Sequence, residues 1–349
     1  MNPHDSSDPL TDGGELPTVT IAVPVYNVAR YVVECLESLA VLELPERSTI
    51  ELLIIDDCSI DHSMRLVEAA LPALPAAMKP RILRHDRNRG LAEARNTALK
   101  EARGEFLWFV DSDDRVEPMM LMHMLEAMEP EVDIVMTDVL MVAEDGVSVL
   151  GTRLPFTGDR RWTGAGALSE FYRRRIPAFM WNKLFRRVIL DGVVFPAGLI
   201  YEDLAVIGTI LLRARAVRYV DSADYRYRIR PGAITGALRP DVGDLITNVH
   251  HGVRDTLVLA PDVVPRRILD EFILREAYLP VLHAAARSGG HGKLEAAMYA
   301  EVRSRLSYRA ALRSALSGRL PSAAAQLIAR TSPRSYGAMY RLLRSMALT

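Results

Sequence analysis

Cysteine is scarce: Cys35 and Cys58 are the only two in 349 residues. Two thiols make neither a disulfide framework nor a cysteine-built zinc site, and a reducing, intracellular setting fits them. Cys35 falls on the apolar stripe of an expected helix and reads as a small core residue. No apolar run approaches the roughly 18 residues that a membrane-spanning helix needs, so the chain is not expected to thread a bilayer. The opening stretch MNPHDSSDPLTDGGELP lacks the charged and apolar regions of a signal peptide. Residues 1–17 read as a disordered lead-in, and a cytoplasmic protein is expected. Glycine is missing from the turn Pro24-Val25-Tyr26-Asn27-Val28. A dinucleotide-dependent oxidoreductase needs a Gly-rich turn there, and a nucleotidyltransferase a Gly-rich basic loop, so both classes are disfavoured. Acid is missing locally. From 302 to 349 there are nine Arg and no Lys, Asp or Glu, which leaves the body with 34 basic and 44 acidic residues beneath a formal net charge of −1. A basic appendage on an acidic body suggests a separate role for the appendage. No nucleic-acid partner is expected.

What is present is alternation. Residues 18–25 (TVTIAVPV), 50–55 (IELLII), 81–84, 105–110 (EFLWFV) and 132–139 read as strands. Helical spacing separates them, at Val28, Tyr31, Val32, Cys35, Leu36 and Leu39, then over 61–71, 91–102 and 118–128, with Gly104 expected as a helix C-cap glycine. This order predicts an α/β fold, a Rossmann-like and mostly parallel sheet flanked by helices. Beyond Gly151 the pattern changes. Short helices are expected at 170–175 and 181–190, an apolar helix at 202–214, and strands at 217–220 and 225–229. From 241 the chain reads as helical. The expected organisation is therefore 18–139 and 140–238 as two halves of one domain, then a helical C-terminal region, 239–349, basic from 302.

In parallel sheets ligands bind beyond the carboxyl ends of the strands. Three polar clusters fall there: Tyr26-Asn27, Asp56-Asp57 and Asp111-Ser112-Asp113-Asp114. Carboxylates one residue apart at a strand end can hold Mg²⁺ or Mn²⁺, and such a cation would neutralise a diphosphate leaving group. A solvated acidic loop is the competing reading, and the position at a strand end weighs against it. Asp57 could accept from a base N–H; helix capping competes, but Ser59 and Asp61 already supply caps. Asn88, Gly90, Arg95 and Asn96 open the helix before the acidic strand, where an anion is favoured. Glu202 and Asp203 stand at a helix start, where the dipole alone would suit them; the sharper reading makes one a general base.

Together these segments resemble glycosyltransferase family 2, the inverting GT-A enzymes. Val23-Pro24-Val25-Tyr26-Asn27, Ile55-Asp56-Asp57-Cys58-Ser59, Asn88-x-Gly90-x-x-x-Ala94-Arg95-Asn96 and Gly104-Glu105-Phe106 leading to Asp111-Ser112-Asp113-Asp114 follow the family's motif order. Trp181-Asn182-Lys183-Leu184-Phe185 and Tyr201-Glu202-Asp203 match acceptor-side features of its bacterial polysaccharide branch. The resemblance spans about 17–238. It implies a nucleotide-sugar donor, UDP-linked through Asp57, and a glycan, lipid-linked or cell-envelope acceptor. Pro24 and Tyr26 would line the nucleoside, with Asn27, Asn88 and Arg95 also on the nucleotide side. Asp111 and Ser112 would meet ribose and diphosphate, Asp113 (with Asp111) the metal, and Asp203 would be the base beside Glu202. Asp114 is given no role. The family usually has Gly where this chain has Cys58, which would be strained if φ there is positive. A Gln-x-x-Arg-Trp motif and membrane spans, the marks of processive members, are missing, so one sugar per encounter is expected.

The basic C-terminus mixes Arg with apolar residues. It could lie on an anionic membrane face as a peripheral contact or pack as a cap on the body, the favoured reading. Two other functions stay open: a nucleotidyltransferase, and a degenerate glycan-binding scaffold, against which the pairing of Asp113 with Asp203 argues.

Overall fold

The computed structural model describes residues 18–152, 154–230, 240–287, 292–332 and 335–341. The expected lead-in and the domain boundary near 238 lie outside these residues.

Apolar and β-branched runs build the first half. β1 (Val19–Val25) is buried along its whole length, as strands covered on both faces are. It is followed by α1 (Val32–Ala40), β2 (Ile50–Asp56), α2 (Ser63–Ala70), β3 (Met78–Arg84), α3 (Leu91–Glu101) and β4 (Phe106–Phe109). β1 pairs in parallel with β2 and β4, and β2 with β3. The carboxyl ends of β1, β2 and β4 thus form one rim. Gly104 is not the C-cap glycine of α3 that the sequence suggests. Ala102 is the C-cap, in extended conformation, and a Cβ on Gly104 would stand 2.4 Å from the Thr20 amide nitrogen. The residue is there for close packing on β1. Ser59 also departs from the capping role: its hydroxyl accepts the Asn27 amide and donates to Val25 O, tying β1's end to β2's; the N-cap position of α2 is His62, without a side-chain cap bond, and Asp61 next to it accepts the Ser63 amide at 2.9 Å.

The second half adds β5 (Arg115–Val116), α4 (Met120–Glu126), β6 (Ile134–Val142), β7 (Val149–Thr152), β8 (Arg160–Thr163), α5 (Gly164–Tyr172), β9 (Lys183–Arg186), α6 (Asp203–Arg213) and β10 (Ala216–Arg228). The sheet order is β3-β2-β1-β4-β9-β6-β10-β5, with β7 on β6 and β8 on β10. β6 and β10 run as β1 does, while β9 lies antiparallel between β4 and β6. The helix expected at 181–190 is therefore a strand followed by a 3-10 turn, Arg187–Leu190. Tertiary bonds decide it: Trp108 Nε1 donates to Trp181 O at 2.7 Å, and Asn182 Nδ2 to Thr137 O at 2.9 Å. Four residues, KLFR, are too few for periodicity to separate strand from helix. The two strands expected at 217–220 and 225–229 are one, β10, whose register against β6 shifts between Val220 and Tyr225. β5, β7 and β8 were not expected. α5 starts earlier than 170, capped by Thr163 Oγ1, which accepts the Gly166 amide at 3.2 Å.

One core packs α1, α2 and α4 on one face of the sheet. The other joins α3, α5 and α6 to a C-terminal helical region. That region comprises α7 (Asp244–Leu259), α8 (Arg266–Ile273), α9 (Leu279–Arg287), α10 (Lys293–Arg305), α11 (Tyr308–Leu316) and α12 (Leu320–Thr331). Val302, Ala329 and Tyr336 enter the core, and Arg305 and Arg313 pair with Glu301 (2.6 Å) and Asp270 (2.7 Å). The basic stretch packs as a cap. It also leaves Tyr308, Leu312 and Leu316, one turn apart on α11, between 55% and 79% exposed. No helix among the described residues is long and apolar enough to cross a membrane.

Candidate active site

The rim begins at β1, where Pro24 is buried opposite Ile55 and Tyr26 emerges 44% exposed. Asn27 accepts the Ile60 amide on Oδ1 at 2.9 Å. Asn27 (φ 52°), Cys58 (61°) and Tyr201 (61°) are three of the five non-Gly residues with positive φ among the described residues. The strain expected at Cys58 is thus present, and it gathers at this rim, as strained backbone does at functional sites.

At β2's end Asp57 is fully engaged. Oδ1 accepts the Arg89 amide at 2.8 Å and faces His85 Nδ1 at 2.7 Å; Oδ2 accepts the Gly90 amide at 2.8 Å. His85 Nε2 in turn meets Thr97 Oγ1 at 2.8 Å. The two amides leading into α3 are therefore met by a protein carboxylate. Gly90 has φ 86°, a conformation that a side chain would strain. Asn88 is exposed in this loop. Asn96 holds the Phe195 backbone twice, Nδ2 donating to Phe195 O at 2.9 Å and Oδ1 accepting the Phe195 amide at 2.8 Å, which makes it a fastener of the 191–198 loop.

Arg95 crosses from α3 to the acidic groups. It is buried between the rings of Phe109 and Phe195, 5.9 and 5.8 Å from their centres. One nitrogen donates to Glu202, and another stands 3.5 Å from Asp111 Oδ1. The sequence thus hides a bridge: Asp111 after β4 and Glu202 before α6 share one guanidinium. Burial pushes the Asp111 carboxyl up to about 6; Arg95 pulls it down, while Asp113 and Asp203 push it further. Glu202 rises to about 7, again through burial, against Arg95 and with Asp203. Asp203 is raised by burial, and opposed by Arg95, the Leu204 amide and Lys183. Arg95 alone faces Asp111 and Glu202, Lys183 joins it at Asp203, and all three carboxyls are held above their ordinary range.

The acidic run divides in space. Asp111 and Asp113 are partly exposed, while Ser112 and Asp114 are buried. Asp114, given no role from sequence, is the anchor. It accepts the Tyr225 hydroxyl at 2.9 Å and the Arg228 amide at 2.7 Å, tying the run to β10. Burial holds its carboxyl well above the usual range, with Asp113 and Asp111 adding to it. Arg228 donates to Asp113 O (2.9 Å), Glu144 O (2.8 Å) and Glu34 Oε2 (2.6 Å). Arg230 pairs with Asp113 Oδ2 at 2.5 Å. Tyr225, Arg228 and Arg230 were missed in the sequence; they stand three and two residues apart at the end of β10, a spacing that no single strand face displays. Lys183 was passed over as a site residue. It is fully buried in β9, and Nζ meets Pro177 O (2.9 Å), Phe179 O (2.5 Å) and Asn182 Oδ1 (2.9 Å), one acceptor for each ammonium N–H. Burial lowers it to about 7, and Asp203 opposes that.

No group of three or more His, Cys, Asp or Glu suited to a metal occurs among the described residues. Asp111 and Asp113 offer hard carboxylate oxygen at one rim. Two such ligands suit Mg²⁺ or Mn²⁺ where phosphate and water complete the shell, so the donor set fits on those terms, with Arg230 on Asp113 as the local competitor.

Residues 20–190 match the family model for Glycosyl transferase family 2. The chain is 32% identical over 226 residues to the putative glycosyltransferase EpsH of Bacillus subtilis (strain 168), with 63% of each chain covered. It is 32% identical over 247 residues to the succinoglycan biosynthesis protein ExoO of Rhizobium meliloti (strain 1021), with 65% of each covered. It thus spans just under two thirds of the length of these curated relatives. S. aureus TarS 1–349 in complex with UDP-GlcNAc has a similar structure, with TM-score 0.70 and 20% identity over 94% of this chain and 92% of that one. The mannosyltransferase PcManGT of Pyrobaculum calidifontis, in complex with GDP-Man and Mn²⁺, aligns with TM-score 0.53 and 20% identity over 96% and 87%. At these identities the structural likeness bears on the fold. With its motifs in order along 20–190 on this sheet, the chain belongs to glycosyl transferase family 2.

Proposed function

We propose that the chain is an inverting glycosyltransferase. It would move one sugar from a nucleotide-sugar, UDP-linked, to a hydroxyl of a glycan, lipid-linked or cell-envelope acceptor. The observation that carries the reading is the Arg95 bridge, which joins Asp111 at the donor rim to Glu202 at the acceptor side, the neighbour of Asp203, through one buried cation. Family membership and the names of the relatives, among them a succinoglycan biosynthesis protein and a UDP-GlcNAc-bound TarS, point the same way.

In this reading Asp203 takes the proton of the acceptor hydroxyl. The oxygen then forms its bond to the anomeric carbon as the bond from that carbon to the diphosphate oxygen breaks, with inversion. The raised carboxyl of Asp203 makes it a stronger base than an exposed aspartate. Glu202 keeps Arg95 in place, and Arg95 holds Asp111 toward the ribose and diphosphate. Tyr26 and Pro24 border the nucleoside, with Asp57 ordering the loop of Asn88 against it, and Ser112 sits beneath the diphosphate. A Mn²⁺ or Mg²⁺ on Asp113 and Asp111 would supply charge neutralisation to the leaving diphosphate. Arg230, already on Asp113, can turn to the same phosphates.

A screen of nucleotide-sugars by thermal shift and Mn²⁺-dependent hydrolysis tests the donor. A UDP-sugar is expected to raise Tm; silence from every UDP-sugar, with and without metal, removes the donor assignment. The exposed Tyr308-Leu312-Leu316 stripe among arginines supports a peripheral membrane contact as part of this proposal. Co-sedimentation with anionic vesicles is expected to fall in L312D/L316D, and equal binding by both forms removes that contact.

A further inference from the structure

Each carboxylate of the acidic run has a protein partner, and one of these pairs opens to solvent on both sides. Asp114 is closed in by the Tyr225 hydroxyl and the Arg228 amide. Asp111 stands 3.5 Å from Arg95, whose side chain is 4% exposed. Asp113 Oδ2 accepts from Nε of Arg230 at 2.5 Å, and there the two side chains are 23% and 22% exposed. A partly exposed pair of this kind shifts an equilibrium by about fivefold or less, so a stronger ligand on either side can part it.

The backbone fixes where Arg230 starts, while its side chain stays at the solvent. The Ile229 amide donates to Val142 O at 2.8 Å, and the Arg228 amide to Asp114. The Arg230 guanidinium lies over the Tyr31 ring, 5.3 Å from its centre. Arg228 lies 5.0 Å from the same centre, but it is locked. Its side chain is 2% exposed, and its three nitrogens donate to Asp113 O, Glu144 O and Glu34. Gly146 closes on it too, since a Cβ there would stand 2.7 Å from an Arg228 nitrogen. Two arginines two residues apart thus do different things: Arg228 holds the backbone of the run, and Arg230 meets the Asp113 carboxylate. Nε on Oδ2 occupies the oxygen a metal would use and puts a positive charge where the metal would approach, and like charges at contact repel.

We propose that Arg230 is an autoinhibitory latch on Asp113. Without donor, its guanidinium stands in for the divalent cation and holds free metal off. The diphosphate of an arriving nucleotide suits the planar fork of an arginine better than one carboxylate oxygen does, and it draws Arg230 away. Metal and nucleotide then bind as a coupled pair, each favouring the other. The proposal rests on the transferase reading for the identity of the nucleotide and deepens it by making metal binding wait on the donor.

Electron paramagnetic resonance of free Mn²⁺, titrated with the full chain without nucleotide, reads the latch, and calorimetry of UDP binding in EDTA reads its release. Arg230→Gln is expected to bind Mn²⁺ about fivefold more tightly than the wild type and UDP about fivefold more weakly. Opposite signs for the two ligands separate a latch from a residue that only supports the fold, whose loss would weaken both. Asp113→Asn added to Arg230→Gln should cancel the gain for Mn²⁺. Arg230→Lys, which keeps the charge without the fork, should fall between; it decides if Arg230→Gln shows no thermal transition, and values equal to the wild type's for both ligands then overturn the latch. Mn²⁺ affinity in Arg230→Gln at or below that of the wild type, a gain that survives Asp113→Asn, unchanged UDP affinity, or no Mn²⁺ bound by any form would each overturn it as well. If that happens while a UDP-sugar raises the Tm of the wild type, the transferase reading stands without the latch. If the latch results hold while no UDP-sugar raises Tm, the latch survives and the transferase reading fails.

Discussion

The two ends of the rim treat their carboxylates in opposite ways. At β2, Asp57 is met by two backbone amides and a histidine, and its work is to fix the entry to α3. At β4 and α6, Asp111 and Glu202 share the guanidinium of Arg95, Asp203 lies in the field of Arg95 and Lys183, and burial raises all three. Amide-saturated carboxylates order a loop; carboxylates short of compensation remain able to take a proton or a cation. The difference separates the part of the rim that holds shape from the part that can do chemistry.

Removing Arg95 should have the largest effect on the folded protein. Arg95→Met leaves the buried Glu202 and the partly exposed Asp111 without their cation, and breaking a buried pair such as Arg95–Glu202 costs roughly 3–5 kcal/mol; a urea midpoint measures it. If the loss is no greater than that of an exposed arginine such as Arg87, the two ends of the rim do not differ as described. A smaller effect is expected from pH. Glu202 is held at about 7, against about 4.3 for an unfolded glutamate. Between those values the native state binds the extra proton, so the contribution of Glu202 is complete below about pH 4 and is lost as pH rises through about 7, by up to roughly tenfold in the folding equilibrium per pH unit. Denaturation of wild type and Glu202→Gln across this range in EDTA isolates it: the wild-type excess should shrink with rising pH. Lys183, lowered to about 7, acts above this window. A constant or growing excess would place Glu202 in a compensated site like that of Asp57.

The same division explains how far the sequence could be read. The parallel half was legible because its strands are long apolar runs between helices of clear period, and its rim motifs are contiguous. β9 was not, since four residues carry no period and tertiary bonds from Trp108 and Thr137 decide its state. Asp203, Asp113 and Arg95 could be singled out as candidates, yet the bridge from Arg95 to Glu202 spans 107 positions, which no local spacing displays. Lys183 stands in the segment Trp181-Asn182-Lys183-Leu184-Phe185, whose resemblance gives it no role of its own. Asp114 looked redundant beside Asp113, and only the approach of Tyr225 and Arg228 from β10 shows it to be the buried anchor.

Asp203→Asn tests the central claim most directly, with glycosyl transfer and UDP-sugar affinity measured on the same sample. An amide cannot take the acceptor proton, so transfer should fall by about 10²–10⁴-fold while donor affinity and Tm stay as in the wild type. Transfer within a few-fold of wild type, or donor binding lost along with it, would contradict the assignment of Asp203 as the base.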